Sequence, residues 1–255
     1  MRRAVGLAVT VPVLAVSVAA CSGGGDGGDG GGGKKKDGQE QRTSGGSGEK
    51  DGGGDGGGGA VSSLAERELA GALLKSGDVK GYRVERSKKD ALPAQNTVVS
   101  GDPKCSAITD AMDSEPEHGR TAYTNGVLQK GSSPGAGGAV QQVLLASYGE
   151  GDAEAWLGDL KKALGGCDSF TAKDGAGEKQ RLSVEPGERG AVGDDSVQFT
   201  LRLAEQKASP LVFTVVRTGG STATFMSISL SGKPQPVAKA LMEKQHEKLT
   251  AAAGN

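Results

Sequence analysis

The sequence predicts an α+β fold: an antiparallel sheet with helices packed on one face, one disulfide, and a disordered Gly-rich linker ahead of it. Three observations carry this. The second half reads as a series of short strands, and the short turns between the last three predict an antiparallel meander. Amphipathic helical stretches precede those strands and close the chain. Glycine dominates residues 22 to 60, where apolar side chains are almost absent.

Met1 is followed by Arg2 and Arg3, then by an apolar run from Ala4 to Ala20 broken only by Gly6, Thr10, Pro12 and Ser17. A basic start, a short apolar stretch and small residues before a cut are the layout of a secretory signal peptide. The run is short for a transmembrane helix and carries Pro12 in its middle. Arg2-Arg3 permits twin-arginine export, but the neighbouring residues fit the general secretory route better. Val18-Ala19-Ala20-Cys21 resembles the lipobox of bacterial lipoproteins, with Val where that family usually has Leu. The resemblance implies cleavage between Ala20 and Cys21 and joining of the Cys21 thiol to diacylglycerol. Membrane lipid is then a partner, and the address is the outer, extracytoplasmic face of the cell membrane. Two or more acyl chains, at about 0.8 kcal/mol per buried CH₂, anchor a protein stably where one does not. The competing reading is a secreted protein with a chance Cys at its cut site. The scarcity of Cys, three in the chain, favours the anchor.

Residues 21–60 then form a tether between a signal peptide, 1–20, and a single folded domain, 61–255. Such a segment cannot bury enough surface to offset its backbone entropy. Its end-to-end distance is roughly 35 Å, and at most about 130 Å when stretched. Lys34-Lys35-Lys36 could meet anionic head groups, although Asp37 and Glu40 weaken the patch. The glycines match G-x-G patterns by chance, without the strand and helix a phosphate loop needs.

In the domain, Val61 to Ser76 reads as a helix, with Ser63 and Glu66 as a capping box and Gly77 just past its end. Tyr82 to Ser87 is a strand. Asp102-Pro103 opens a short helix carrying Cys105, Ile108 and Met112. Thr121 to Gln129 and Val140 to Tyr148 are strands. Asp152 caps a helix whose stripe is Trp156, Leu157, Leu160 and Leu164, stopped by Gly165-Gly166. Five strands follow: Ser169 to Lys173, Lys179 to Val184, Ser196 to Leu203, Leu211 to Thr218 and Thr222 to Ser231. Their alternation is clear in Val197, Phe199, Leu201 and Leu203. Pro236 opens the last helix, through Leu241 and Leu249.

With Cys21 acylated, Cys105 and Cys167 remain. In an oxidising compartment they read as one disulfide, and the alternative is two free thiols. The formal charge is −1, falling to −3 once Arg2 and Arg3 leave with the signal. That balance, with no basic stripe between aromatics, excludes a nucleic-acid footprint. No Cys/His spacing suggests a metal, and nothing suggests a cofactor.

Gly131-Ser132-Ser133-Pro134-Gly135 matches G-x-S-x-G, and Asp194 or Asp195 with His246 would complete a hydrolase set around Ser133. The glycines after it are no helix start, so a hairpin loop is the better reading. His246 sits among Gln245 and Glu247 on what reads as a solvated helix face. His118 follows polar residues and reads as exposed. Asp194, Asp195 and Glu188 could hold a cation but read as a wet acidic loop. Trp156 reads as core.

The order of pieces also carries a resemblance. It runs through Gly77-Asp78-Val79-Lys80-Gly81-Tyr82, Cys105 on a short helix, and Leu164-Gly165-Gly166-Cys167-Asp168-Ser169-Phe170. Val192-Gly193-Asp194-Asp195-Ser196 and the strand Phe213 to Gly219 follow. Over about 61 to 252 this resembles the PknH-like extracellular sensor domain family, found on actinobacterial serine/threonine kinases and in stand-alone lipoproteins. The resemblance implies an α+β domain with a cleft between sheet and helices for an unidentified ligand. Many members have two disulfides, and this chain can make one. No ligand-binding residue carries over. The expected function is a membrane-anchored extracytoplasmic lipoprotein that binds or senses a small ligand and is not an enzyme. The alternatives are a cell-envelope protein–protein interaction module and an esterase using Ser133.

Overall fold

The computed structural model describes residues 63–87, 99–113, 116–131, 137–173, 177–188, 191–203 and 209–254. In chain order its elements are α1 (Glu66–Ala72), β1 (Tyr82–Arg86), β2 (Val99–Ser100), a 3₁₀ turn (Pro103–Cys105) and α2 (Ser106–Thr109). Then come β3 (Arg120–Lys130), β4 (Ala139–Tyr148), α3 (Asp152–Leu164), β5 (Ser169–Lys173) and β6 (Lys179–Pro186). β7 (Asp195–Leu203), β8 (Leu211–Thr218), β9 (Ser221–Ser229) and α4 (Lys239–Ala253) complete the described chain.

All nine strands join one sheet, ordered β1-β3-β4-β9-β8-β7-β6-β5-β2, with every neighbour antiparallel. The meander expected of the last three strands, β7 to β9, is there, and it extends back to β5. The α+β reading and the strand spans predicted from alternation hold.

The helices do not share one face. Residues paired directly across antiparallel strands lie on the same side of a sheet. Val143 of β4 pairs with Phe225 of β9, and Leu145 with Ala223. These pack with residues of α1 and α4, among them Leu69, Leu73, Leu241 and Leu249. The alternate residues Ala146 and Tyr148 of β4, with Phe213 and Val215 of β8, pack with Trp156, Leu157 and Leu160 of α3 and Ile108 of α2. So α1 and α4 cover one face, and α2 and α3 the other. The reason is in β4: Val143 to Ala146 is apolar without a break, and a strand like that needs cover on both sides.

Helix ends also differ from expectation. α1 starts at Glu66, where the Glu68 carboxylate accepts the Ala65 N–H at 2.7 Å, so the cap is two residues beyond Ser63. It stops at Ala72, four residues early. The buried side chain of Gln245, on α4, donates to the Ala72 carbonyl at 2.9 Å and accepts the Leu74 N–H at 3.0 Å. These satisfy the Ala72 carbonyl that the helix end leaves open and the buried Leu74 N–H beyond it, and release Leu73 and Leu74 into the core. Lys248 of α4 adds a 2.6 Å contact to Asp78. α4 begins at Lys239 rather than Pro236, with Val237 buried ahead of it. Gly151, at φ 80°, takes the cap position of α3 that Asp152 was expected to fill.

Cys105 and Cys167 are joined, with Cα atoms 5.6 Å apart, which settles the two-thiol alternative. The bond ties the turn before α2 to Cys167, three residues past the end of α3.

Replacing Gln245 by Ala should strand two buried backbone groups, at about 1–3 kcal/mol each. Urea unfolding of Gln245→Ala should show a loss of about 2–4 kcal/mol, against under about 0.5 kcal/mol for an exposed neighbour such as Glu247→Ala.

Candidate functional site: an apolar cleft beside α2

The face covered by α2 and α3 is wider than those helices. Along one row of cross-strand neighbours, Gln142 of β4 meets Met226 of β9, and Met226 meets Phe213 of β8. In the next row, Leu144 lies between Asn125 of β3 and Thr224 of β9. Together with Leu211, these residues floor a cleft of about 170 Å³. Its wall is the chain just past α2, Ala111-Met112-Asp113. The lining is mostly apolar, and Asp113, Asn125, Gln142 and Thr224 supply the polar groups.

The wall is held at both ends. Before α2, the Cys105–Cys167 bond fixes it to the end of α3. Trp156 of α3 donates its indole N–H to the Ala107 carbonyl at 3.4 Å, and Ile108 is fully buried beneath. Past α2, the Arg120 guanidinium donates to the carbonyls of Asp113 at 3.0 Å and Asp110 at 3.1 Å. Asp110 is itself buried and accepts the Glu117 N–H at 3.1 Å through Oδ1, while Oδ2 has no hydrogen bond. Burial pushes its carboxyl above the ordinary carboxylate range, despite the N–H groups of Glu117 and His118, which favour the charged form. Behind it, Tyr148 stacks on Trp156 with ring centres 5.7 Å apart. Burial likewise pushes the Tyr148 phenol upward.

A roomier depression, about 570 Å³, opens at the start of α3 beside Glu150, Glu154, Asp194 and Arg217. It is lined by glycines and charged groups, and two of these are engaged with each other: the Asp194 carboxylate accepts the Gly219 N–H at 2.6 Å and lies 3.6 Å from Arg217. The smaller cleft is the better candidate, because its apolar floor offers a ligand burial as well as orientation.

Ala20 and Cys21 lie outside the described residues, as do Lys34 to Lys36 and Ser133. Gly131 and Gly137, which flank Ser133 in sequence, lie near the Ala139 end of β4, next to Ser229. Asp194 is tied to Gly219, in the β8–β9 turn at the Ser147 end. The two ends are about 27 Å apart at 3.3 Å per residue. The flanks of the G-x-S-x-G match and the acidic pair are thus at opposite ends of the sheet. His246 does not sit on a solvated face: its Nδ1 is 2.8 Å from the Thr218 hydroxyl oxygen of β8. Nor is His118 simply exposed, since its Nε2 is 3.6 Å from Asp159 of α3. Asp195 pairs with Lys161, and among the described residues no group of three His, Cys, Asp or Glu could hold a metal ion. Trp156 is core, as expected.

The cleft residues escaped the sequence reading. A faint signal was there: Asn125 is a polar residue in the middle of β3, and Gln142 precedes the apolar run from Val143 to Ala146 in β4. Nothing local says that β3 and β4 bring them to one opening.

No family model matches the chain, and no curated protein matches it. Among solved structures, it is similar to the extracellular domain of PknH from Mycobacterium tuberculosis, with TM-score 0.48, 11% identity, and coverage of 76% of this chain and 98% of that one. An uncharacterised protein from Mycobacterium smegmatis is more distant, at TM-score 0.29 and 14% identity over 69% of this chain and 89% of that one. Likeness at this level says nothing of ligands or activity.

Two outcomes test the wall. Because the fold raises the Asp110 carboxyl above its unfolded value near 3.9, its contribution is fully present below about pH 4 and is lost as pH rises through the folded value. Asp110→Asn should therefore gain stability relative to the parent between pH 4 and pH 7, measured by urea midpoints at both. Replacing both Cys105 and Cys167 by Ser opens a loop of 62 residues, which should cost about 4 kcal/mol. Amide exchange in that variant should rise first in residues 103–113.

Proposed function

We propose that this chain is a membrane-anchored extracytoplasmic lipoprotein whose domain binds a small ligand in the cleft beside α2 and carries out no chemistry on it. The observation that carries the reading is the cleft itself: an apolar floor with a few convergent polar groups, walled by a segment locked to its surroundings at both ends. Such a concave, preformed site is what small ligands use. Its polar set is one carboxylate, two amides and one hydroxyl, which can orient a ligand by hydrogen bonds. The hydrolase alternative loses support because the flanks of Ser133 lie far from the acidic pair it would need. Val18-Ala19-Ala20-Cys21 and the tether after it support the anchor, and the motif resemblance to the PknH-like sensor domains agrees with a sensing role.

Expressed in a bacterial host with its leader intact, the full chain should fractionate with membranes, and Cys21→Ala should move it to the soluble extracellular or periplasmic fraction. A Cys21→Ala protein that stays with membranes overturns the anchor. Native mass spectrometry of the gently released protein should retain a small adduct. A stoichiometric protein partner in its place would overturn the ligand reading in favour of an envelope interaction module.

A further inference from the structure

We infer that the loop from Lys75 to Gly81 is a latch over the open edge of the sheet, and that what it holds off is a second copy of this chain, joined edge to edge through β1. Among the described residues, the sheet ends at β1 on one side and at the two-residue β2 on the other. An open strand edge is a row of unpaired N–H and C=O groups that another strand can take up. β2 is too short to offer such a row, so β1 is the edge that needs guarding.

Every second residue of β1 faces that edge. The Gly81 carbonyl accepts the Gly131 N–H at 3.1 Å, and the Ser87 N–H donates to the Asn125 carbonyl at 3.0 Å, so the odd-numbered residues bond to β3. The even ones, Tyr82, Val84 and Arg86, turn their backbone groups outward. Val84 is the middle one, and both of its groups are taken by one side chain. The Ser76 hydroxyl accepts the Val84 N–H at 3.0 Å and donates to the Val84 carbonyl at 3.2 Å. The Tyr82 N–H is taken as well, by the Val79 carbonyl at 3.1 Å. The loop that does this is tied down. The Asp78 carboxylate accepts the Lys75 N–H at 2.8 Å and the Lys248 ammonium at 2.6 Å. Gly77 and Gly81, at φ 96° and 83°, turn the chain back onto β1.

The sequence of β1 says which strand fits. In a two-fold antiparallel pair centred on Val84, the two Val84 residues exchange the same two bonds that Ser76 now holds. Arg83 of each copy then stands opposite Glu85 of the other, and Tyr82 opposite Arg86. The first pair matches opposite charges, and the second sets a cation beside an aromatic ring. Arg83, Glu85 and Arg86 are exposed and ready for such a partner. The edge is thus complementary to itself, and Ser76 occupies the bonds at its centre.

The full chain carrying Cys21→Ala, so that no acyl chain intervenes, is the parent for the test. Ser76→Ala and Ser76→Ala/Asp78→Ala are made on it and compared by sedimentation velocity over a concentration series, with far-UV circular dichroism as the check of fold. The parent should stay monomeric, Ser76→Ala should dimerise as concentration rises, and loss of the Asp78 ties should tighten the dimer. Val84→Pro added to these removes the outward N–H and leaves the ladder to β3 whole, so it should return the chain to monomer. Arg83→Glu sets like charges opposite each other in both symmetric pairs and should weaken the dimer about tenfold, and adding Glu85→Arg should restore it. Folded Ser76 variants that stay monomeric at every concentration overturn the latch, as does a parent that dimerises as readily as they do. A dimer that survives Val84→Pro, or ignores the charge swap, overturns pairing through β1. Should loss of Asp78 unfold the chain, Ser76→Ala alone decides, since it keeps both ties.

Discussion

Val143 and Leu145 of β4 face one side of the sheet, Ala146 and Tyr148 the other, and all four are buried. A central strand that is apolar on both faces cannot leave either to water. Everything else in the domain answers that requirement. α1 and α4 close one side, α2 and α3 the other, and the edge strand β1 carries Arg83, Glu85 and Arg86. The order of the chain follows, since the segments before β1 and after β9 must meet across the same face. They do so through Gln245, whose amide ends α1 from 173 residues away.

The same requirement produces the cleft. α3 covers the β6, β7 and β8 side of its face, leaving the floor between β3 and β8 to the short α2 and the chain beyond it. A single helical turn has too few internal hydrogen bonds to hold itself in place. The covalent bond from Cys105 to Cys167 and the clamp of Arg120 supply what it lacks. The buried Asp110 beside that clamp is a cost of placing a polar segment over an apolar floor, met in part by the N–H groups of the following loop.

Much of the fold was legible in particular residues. The alternation of Val197, Phe199 and Leu201 placed β7, and the stripe of Trp156, Leu157, Leu160 and Leu164 placed α3, because both are local periodicities set by one face of burial. The even pair of cysteines named the disulfide. The Val143 to Ala146 run also announced a strand buried on both sides, and against it the expectation of helices on one face was the wrong one. Helix ends were harder. Leu73 to Ser76 continues the helical pattern of α1, and only the Gln245 amide, remote in sequence, tells Ala72 to stop. His246 looked solvated because its sequence neighbours are charged, yet its ring meets Thr218 of β8.

By itself, the sequence determined the α+β class, the antiparallel meander of the last three strands, β7 to β9, and the cysteine pairing. Each of these rests on spacing, residue type or short-range turns, which the chain carries in one dimension. Tertiary structure alone decided which face each helix covers, where α1 ends and where the cleft lies. Those depend on register across strands far apart in sequence: Gln142 beside Met226, Leu144 beside Thr224, Gln245 at Ala72. Such pairs are selected by how the whole sheet buries its apolar surface, and no stretch of either partner records the other.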